Sequence, residues 1–151
     1  MKQGVTTPDG YDRARMQARG IHHLGVAVVD LDEAVATYRR LFGASVEHRA
    51  ELPDQGVEAA AVLVGQDRVE LLTSTGDDTP VGRFLAGRGP GLHHVAYEVA
   101  DVGATLRELA SVGAELIDEE PRPGLFGLQV AFVHPDAVHG VLTEVVSRGS
   151  E

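Results

Sequence analysis

The sequence predicts an α+β fold in which two tandem βαβββ modules curl one mixed sheet around a cleft, with the helices outside. Three observations carry that reading. HHLGVAVVD at 22–30 aligns without a gap on HHVAYEVAD at 93–101, so one unit is written twice. In each unit an alternating, β-branched run gives way to one helical stretch and then to further short strands. The 151-residue chain is 43% hydrophobic and 24% charged, enough apolar material for a single core without staples.

Each element follows from local pattern. Residues 1–20 form a polar arm, in which 12–18 has the composition for a short helix. Residues 21–29 (IHHLGVAVV) alternate: Leu24, Val26 and Val28 face one way, and His23, Gly25 and Ala27 the other. Asp30 has the chemistry of an N-cap. The helix after it carries Val35, Tyr38, Leu41 and Phe42 on one stripe and ends at Gly43. Strands are expected at 45–52, 57–64 and 68–73, separated by the PDQG turn and a hairpin at Gly65, Gln66 and Asp67. A connector at 75–90 has room for a short helix at 80–86.

The order then repeats. A strand at 91–99 leads to Asp101 as cap. The following helix shows Val102, Leu106 and Leu109 on one side and stops at Gly113. Strands are expected at 114–117, 128–133 and 140–146, with EEPRPGLFG at 119–127 as a long loop. The modules therefore span 21–74 and 91–147 within one domain, with 148–151 as a tail.

Composition removes several function classes. Thirteen bases against 23 acids give a formal charge of -10, which disfavours a nucleic-acid partner. No cysteine is present, so thiolate metal sites, thiol nucleophiles and redox pairs are excluded. No apolar run approaches the roughly 20 residues of a membrane span. The first twenty residues lack a secretory apolar core. The expectation is a cytoplasmic protein with no membrane partner.

Four residues stand out. His23 lies on the small-residue face of its strand, and His94 repeats that position 71 residues later, with Ala96 next on its face. Glu70 in VELL and Glu144 in LTEVV are carboxylates inside apolar strands. A strand histidine is more often structural than a ligand, and a strand glutamate is usually solvated. Here each half carries the same pair, a histidine on its first strand and a glutamate on its last. A buried, unpaired carboxylate is costly, and a cation resolves both anions and orients both imidazoles. Two histidines and two carboxylates suit a divalent first-row metal. His22 and His93 point to the opposite face by strand parity and read as structural. His134, before Pro135, reads as a turn residue; His48 and His139 have no assigned role.

The order His…Glu…His…Glu is carried by HHLGVAVVDLDEAVATY, LPDQGVE, VELL, TPVGRFL, GLHHVAYEV, DEEPRPGLFG, and FVHP followed by HGVLTEV. Over residues 21–146 it resembles the vicinal oxygen chelate superfamily, which is glyoxalase- and dioxygenase-like. Within that superfamily it is similar to the methylmalonyl-CoA epimerase family. The resemblance implies a divalent metal, most often cobalt, at His23, Glu70, His94 and Glu144. Manganese, nickel, zinc and magnesium remain open. It also implies interconversion of the (R) and (S) forms of a CoA thioester, Glu144 as both ligand and base, and a homodimer. An anionic CoA ester on an acidic protein needs local cations, and Arg122, Arg88 and Arg49 are the candidates. One departure is plain: some relatives carry a second glutamate where this chain has Ala59. A bound water, or a group from 119–127, is then left to serve the other face of the substrate. The competing readings are a glyoxalase-type lyase of the same superfamily and a metal-free small-molecule-binding module.

Overall fold

A computed structural model describes residues 17–148. The first half contains β1 (Gly20–Ala27), α1 (Leu31–Phe42), β2 (Ser45–Leu52), β3 (Val57–Val64) and β4 (Asp67–Ser74). A connecting helix α2 (Pro80–Arg88) follows. The second half contains β5 (Gly91–Glu98), α3 (Val102–Ser111), β6 (Arg122–Pro123), β7 (Leu128–Val133) and β8 (Thr143–Arg148). All eight strands join one sheet in the order β2-β3-β4-β1-β5-β8-β7-β6. Each half is a four-stranded run, and the two first strands, β1 and β5, meet antiparallel at the centre. Each first strand pairs parallel with the last strand of its own half, β1 with β4 and β5 with β8. This is the curled mixed sheet that the repeat predicts.

The repeat extends to the helix caps. The Asp30 carboxylate accepts the Glu33 N–H, and the Asp101 carboxylate accepts the Ala104 N–H. Gly43 ends α1 at φ 64, a left-handed conformation that costs a glycine little. Both helices cover the outer side of the sheet. Leu31 and Val35 of α1 pack on Ala60, Val62 and Leu71. Val102 and Leu106 of α3 pack on Ala131 and Val145. With the helices outside, the inner face of the sheet is left to line a cleft.

Three expectations shift. Residues 114–117 do not form a strand and make one isolated bridge, Leu116 to Val133. The Asp118 carboxylate takes the Phe132 N–H at 2.8 Å, so a side chain replaces the next ladder bond. The last strand starts at Thr143 rather than 140. A 3₁₀ turn at Pro135–Val138 and left-handed His139 (φ 54) and Gly140 (φ 91) hold the preceding segment out of register. The long loop contributes the two-residue strand β6, paired to β7. Most of the helix considered at 12–18 lies outside the described residues; 17–19 carry no regular structure. Among the described residues, no helix is long and apolar enough to cross a membrane.

Candidate metal centre

The sheet register assembles the centre from both modules. Across β4, β1 and β5, Glu70 lies beside Gly25, and Gly25 beside His94. Across β1, β5 and β8, His23 lies beside Ala96, and Ala96 beside Glu144. Each row therefore sets a carboxylate and a histidine from different modules on either side of one small residue. With strands about 4.8 Å apart, the flanking side chains lean over that residue to meet. Gly25 is required by this geometry: a Cβ there would lie 2.1 Å from His94 Cε1.

The four groups converge. His23 Nε2 lies 3.1 Å from His94 Nε2, 3.4 Å from Glu70 Oε2 and 3.3 Å from Glu144 Oε1. Ligand atoms of His23, His94 and Glu144 all lie within 4.8 Å of one another. Glu70 joins through His23. All four residues are buried, none more than 8% exposed.

Burial and mutual charge shift the protonation of these groups. Burial pushes the Glu70 carboxyl up to about 7, moderated by the charge of His23 and reinforced by that of Glu144. Burial alone would depress His23. Its hydrogen bond to Glu144 and the charges of Glu70 and Glu144 outweigh that, and its pKa rises. Burial and the neighbouring charges of His23 and His93 hold His94 well below the usual imidazole range. Two imidazole Nε2 atoms and two carboxylates on a buried cradle form a donor set that fits a divalent first-row ion.

His22 and His93 do more than strand parity suggests. His22 Nδ1 lies 2.7 Å from His23 Nδ1, and His93 Nδ1 lies 2.9 Å from His94 Nδ1. Parity fixes the direction of each Cβ; side-chain rotation beyond it still lets successive rings meet edge to face through their Nδ1 edges. The sequence held a signal for this, because the histidine doublet itself recurs at a spacing of 71 (22 to 93).

A cleft of about 250 Å³ opens above the four groups. Leu52, Leu72, Val81, Leu125 and Phe132 give it apolar walls. Leu125 reaches across from the long loop to pack over Ala27, Ala59 and Leu72 of the first half. The next residue, Phe126, packs edge to face on His48 at 4.1 Å. Gln55 ties the loop down by donating to the Pro123 carbonyl at 3.1 Å.

The three arginine candidates separate. Arg122 lines the cleft. Its Nε is 3.4 Å from Asp118 Oδ2 yet makes no hydrogen bond, the one such buried side-chain atom among the described residues. Its guanidinium lies 5.4 Å over the Phe132 ring. Arg88 instead sits 5.7 Å over Phe84, and it is not among the residues lining the cleft. Arg49 is on the outer face, held by Asp32 at 2.6 Å and Glu58 at 2.9 Å. Ala59 is fully buried beneath Leu125. His134 accepts the Asp136 N–H at 3.1 Å and fixes the turn after β7.

Comparison with known proteins agrees with this architecture. Residues 22–132 match the model of the glyoxalase/bleomycin resistance protein/dioxygenase superfamily. The chain is 35% identical over 126 residues to the mitochondrial methylmalonyl-CoA epimerase of Homo sapiens, covering 83% of this chain and 72% of that one. It is 36% identical over 128 residues to the ethylmalonyl-CoA/methylmalonyl-CoA epimerase of Cereibacter sphaeroides, covering 83% and 95%. A solved methylmalonyl-CoA epimerase in complex with methylmalonyl-CoA and NH4+ superposes with a TM-score of 0.84 at 36% identity. That match covers 89% of this chain and 97% of that one.

Proposed function

The chain belongs to the glyoxalase/bleomycin resistance protein/dioxygenase superfamily and, within it, to the methylmalonyl-CoA epimerase family; on that premise we propose that it is a metal-dependent epimerase of methylmalonyl-CoA. The observation that carries the proposal is the meeting of His23, Glu70, His94 and Glu144, one pair from each module, at the base of a cleft.

The substrate's C2–H lies between a thioester and a carboxylate. Glu144 takes the C2 proton, and the C–H electron pair passes into the enolate, placing charge on the thioester oxygen. A divalent ion held by His23, Glu70, His94 and Glu144 would supply the positive charge that stabilises that oxygen in the transition state. Return of a proton to the opposite face inverts C2. Ala59 has no proton to give. Of the loop residues only Arg122, Gly124 and Leu125 line the cleft, and none carries a carboxyl or imidazole group. Between a bound water and a loop group, water is the donor we assign to that face. Arg122, whose side chain lines the cleft, meets the anionic part of the CoA ester. The apolar roof of Leu125 and Phe132 limits bulk water around the enolate.

The family resemblance supports cobalt as the ion and a homodimer as the assembly.

The test is incubation of (2S)-methylmalonyl-CoA in deuterated water with chelated and with cobalt-reloaded protein. Metal-dependent inversion with deuterium at C2 is expected. Exchange without inversion would show that water does not serve the second face. Neither exchange nor inversion in loaded protein would defeat the epimerase reading in favour of a glyoxalase-type lyase or a binding role.

A further inference from the structure

We propose that His22 and His93 are positioning residues that lock the metal-binding tautomers of His23 and His94 through paired Nδ1–Nδ1 hydrogen bonds. The proposal rests on the metal reading above.

The geometry is duplicated. Both ligand histidines turn Nε2 into the centre, where the two atoms are 3.1 Å apart. Each presents Nδ1 to the histidine immediately before it, at 2.7 Å for His22 and 2.9 Å for His93. A neutral imidazole that ligates through Nε2 carries its proton on Nδ1. That N–H needs an acceptor, and the Nδ1 lone pair of the preceding ring is the atom in place. The acceptor ring must then be neutral, with its own proton on Nε2. A metal-bound histidine generally has such a partner, which fixes ring orientation and raises ligand basicity. Here a neighbouring imidazole occupies the place usually filled by a carboxylate or carbonyl.

The two acceptor residues are anchored differently. Arg68, held by Glu47 at 2.8 Å, places Nη1 3.4 Å from both His22 Nε2 and the His22 carbonyl. With the His22 proton on Nε2, the carbonyl is the acceptor for that guanidinium N–H. His93 packs edge to face on Phe84 of α2 at 4.9 Å. The His22 backbone is thus tied to β4, the strand that carries Glu70, and the His93 ring to the connecting helix.

The test compares His93→Leu and His22→Leu with His93→Asn and His22→Asn. The Asn side chain keeps an acceptor oxygen where Nδ1 stood, whereas Leu keeps bulk alone. Two readouts are taken: Co²⁺ and Zn²⁺ affinity by calorimetric titration of metal-free protein, and long-range ¹H–¹⁵N NMR of the histidine rings. In metal-free wild type, His94 is expected to carry its proton on Nδ1. Each Leu variant is expected to lose about tenfold or more in metal affinity, and His93→Leu to move the His94 proton toward Nε2. The Asn variants should stay within about threefold of wild type. A wild-type His94 protonated on Nε2 would overturn the proposal even if no variant folds. So would Leu variants with unchanged affinity and tautomers. Failure of wild type to bind either ion would instead defeat the metal reading, and the ligand-orienting role with it.

Discussion

Gly25→Ala tests the centre with one methyl group. The new Cβ would lie 2.1 Å from His94 Cε1, 2.3 Å from Nδ1 and 2.6 Å from Nε2. Carbon atoms settle at about 3.5 Å or more, so the ring must withdraw by about 1.4 Å. Metal–ligand distances tolerate about 0.2 Å, so His94 leaves the ligand set. The fold suffers less. Overpacking costs about 1–3 kcal/mol, and replacing a strand glycine returns roughly 0.5–1 kcal/mol. The expected result is a folded protein whose metal affinity falls by more than about 100-fold, beyond the loss typical of an outer partner. Calorimetric titration with Co²⁺ measures this directly. Thermal melting with and without metal checks it, because ligand stabilisation should vanish from the variant. Ala96→Gly is the matched control: Ala96 stands beside His23 as Gly25 stands beside His94, and shrinking it adds room. Gly25→Ala binding Co²⁺ within about threefold of wild type would show that His94 is not a ligand in the geometry described.

Further outcomes follow from the same structure. Glu144→Gln should abolish deuterium uptake at C2 while leaving the fold intact, and full epimerase activity in that variant would remove Glu144 as base. Arg122→Ala should raise the KM for the CoA ester by about tenfold, the loss of one charge-assisted contact, and an unchanged KM would clear Arg122 of that role. Stability of the metal-free protein should fall between pH 6.5 and 8. The folded pKa of Glu70, about 7, lies above its ordinary value of 4.5, so its contribution is complete below 4.5 and lost as pH rises through 7. Most of that term is lost between pH 4.5 and 7, so about 1 kcal/mol of it falls within the 6.5–8 window, and the raised His23 adds in the same direction. The lowered His22, His93 and His94 act oppositely, but their terms are complete once pH exceeds 6.5. Denaturant midpoints of wild type and Glu70→Gln measure this, and a Gln variant with the same slope above pH 6.5 would refute the assignment to Glu70. Asp30→Ala and Asp101→Ala should each cost about 1 kcal/mol, since each removes one cap bond of the same type; unequal losses in urea melts would break that symmetry.

Much of this was legible in the sequence because duplication converts weak local signals into paired ones. His23 and His94 sit on matching strands, so their rings converge once those strands pair. The parallel placement of β4 and β8 then brings Glu70 and Glu144 in beside them. What was not legible depended on side chains competing with backbone. The Asp118 carboxylate occupies the Phe132 N–H, and a strand expected at 114–117 reduces to one bridge. His139 adopts a positive φ that no simple pattern foretells. Arg49 looked available for an anionic ligand until its strand face turned it toward Asp32 on α1. Parity turns the Cβ atoms of His22 and His93 away from the site, but it does not fix where the rings beyond them reach.

The sheet register also bears on how the polypeptide can be strung. Gly20, at the start of β1, and Val146, near the end of β8, both lie beside Glu98 of β5. One strand separates them, a gap of about 10 Å at ordinary spacing. A linker of a few residues would span it, and the exposed stretch at 75–78 offers a place to open new ends. In such a circular permutant His94 and Glu144 would precede His23 and Glu70, yet each row across the sheet would keep its neighbours. The centre is a property of strand adjacency, indifferent to which half the ribosome delivers first.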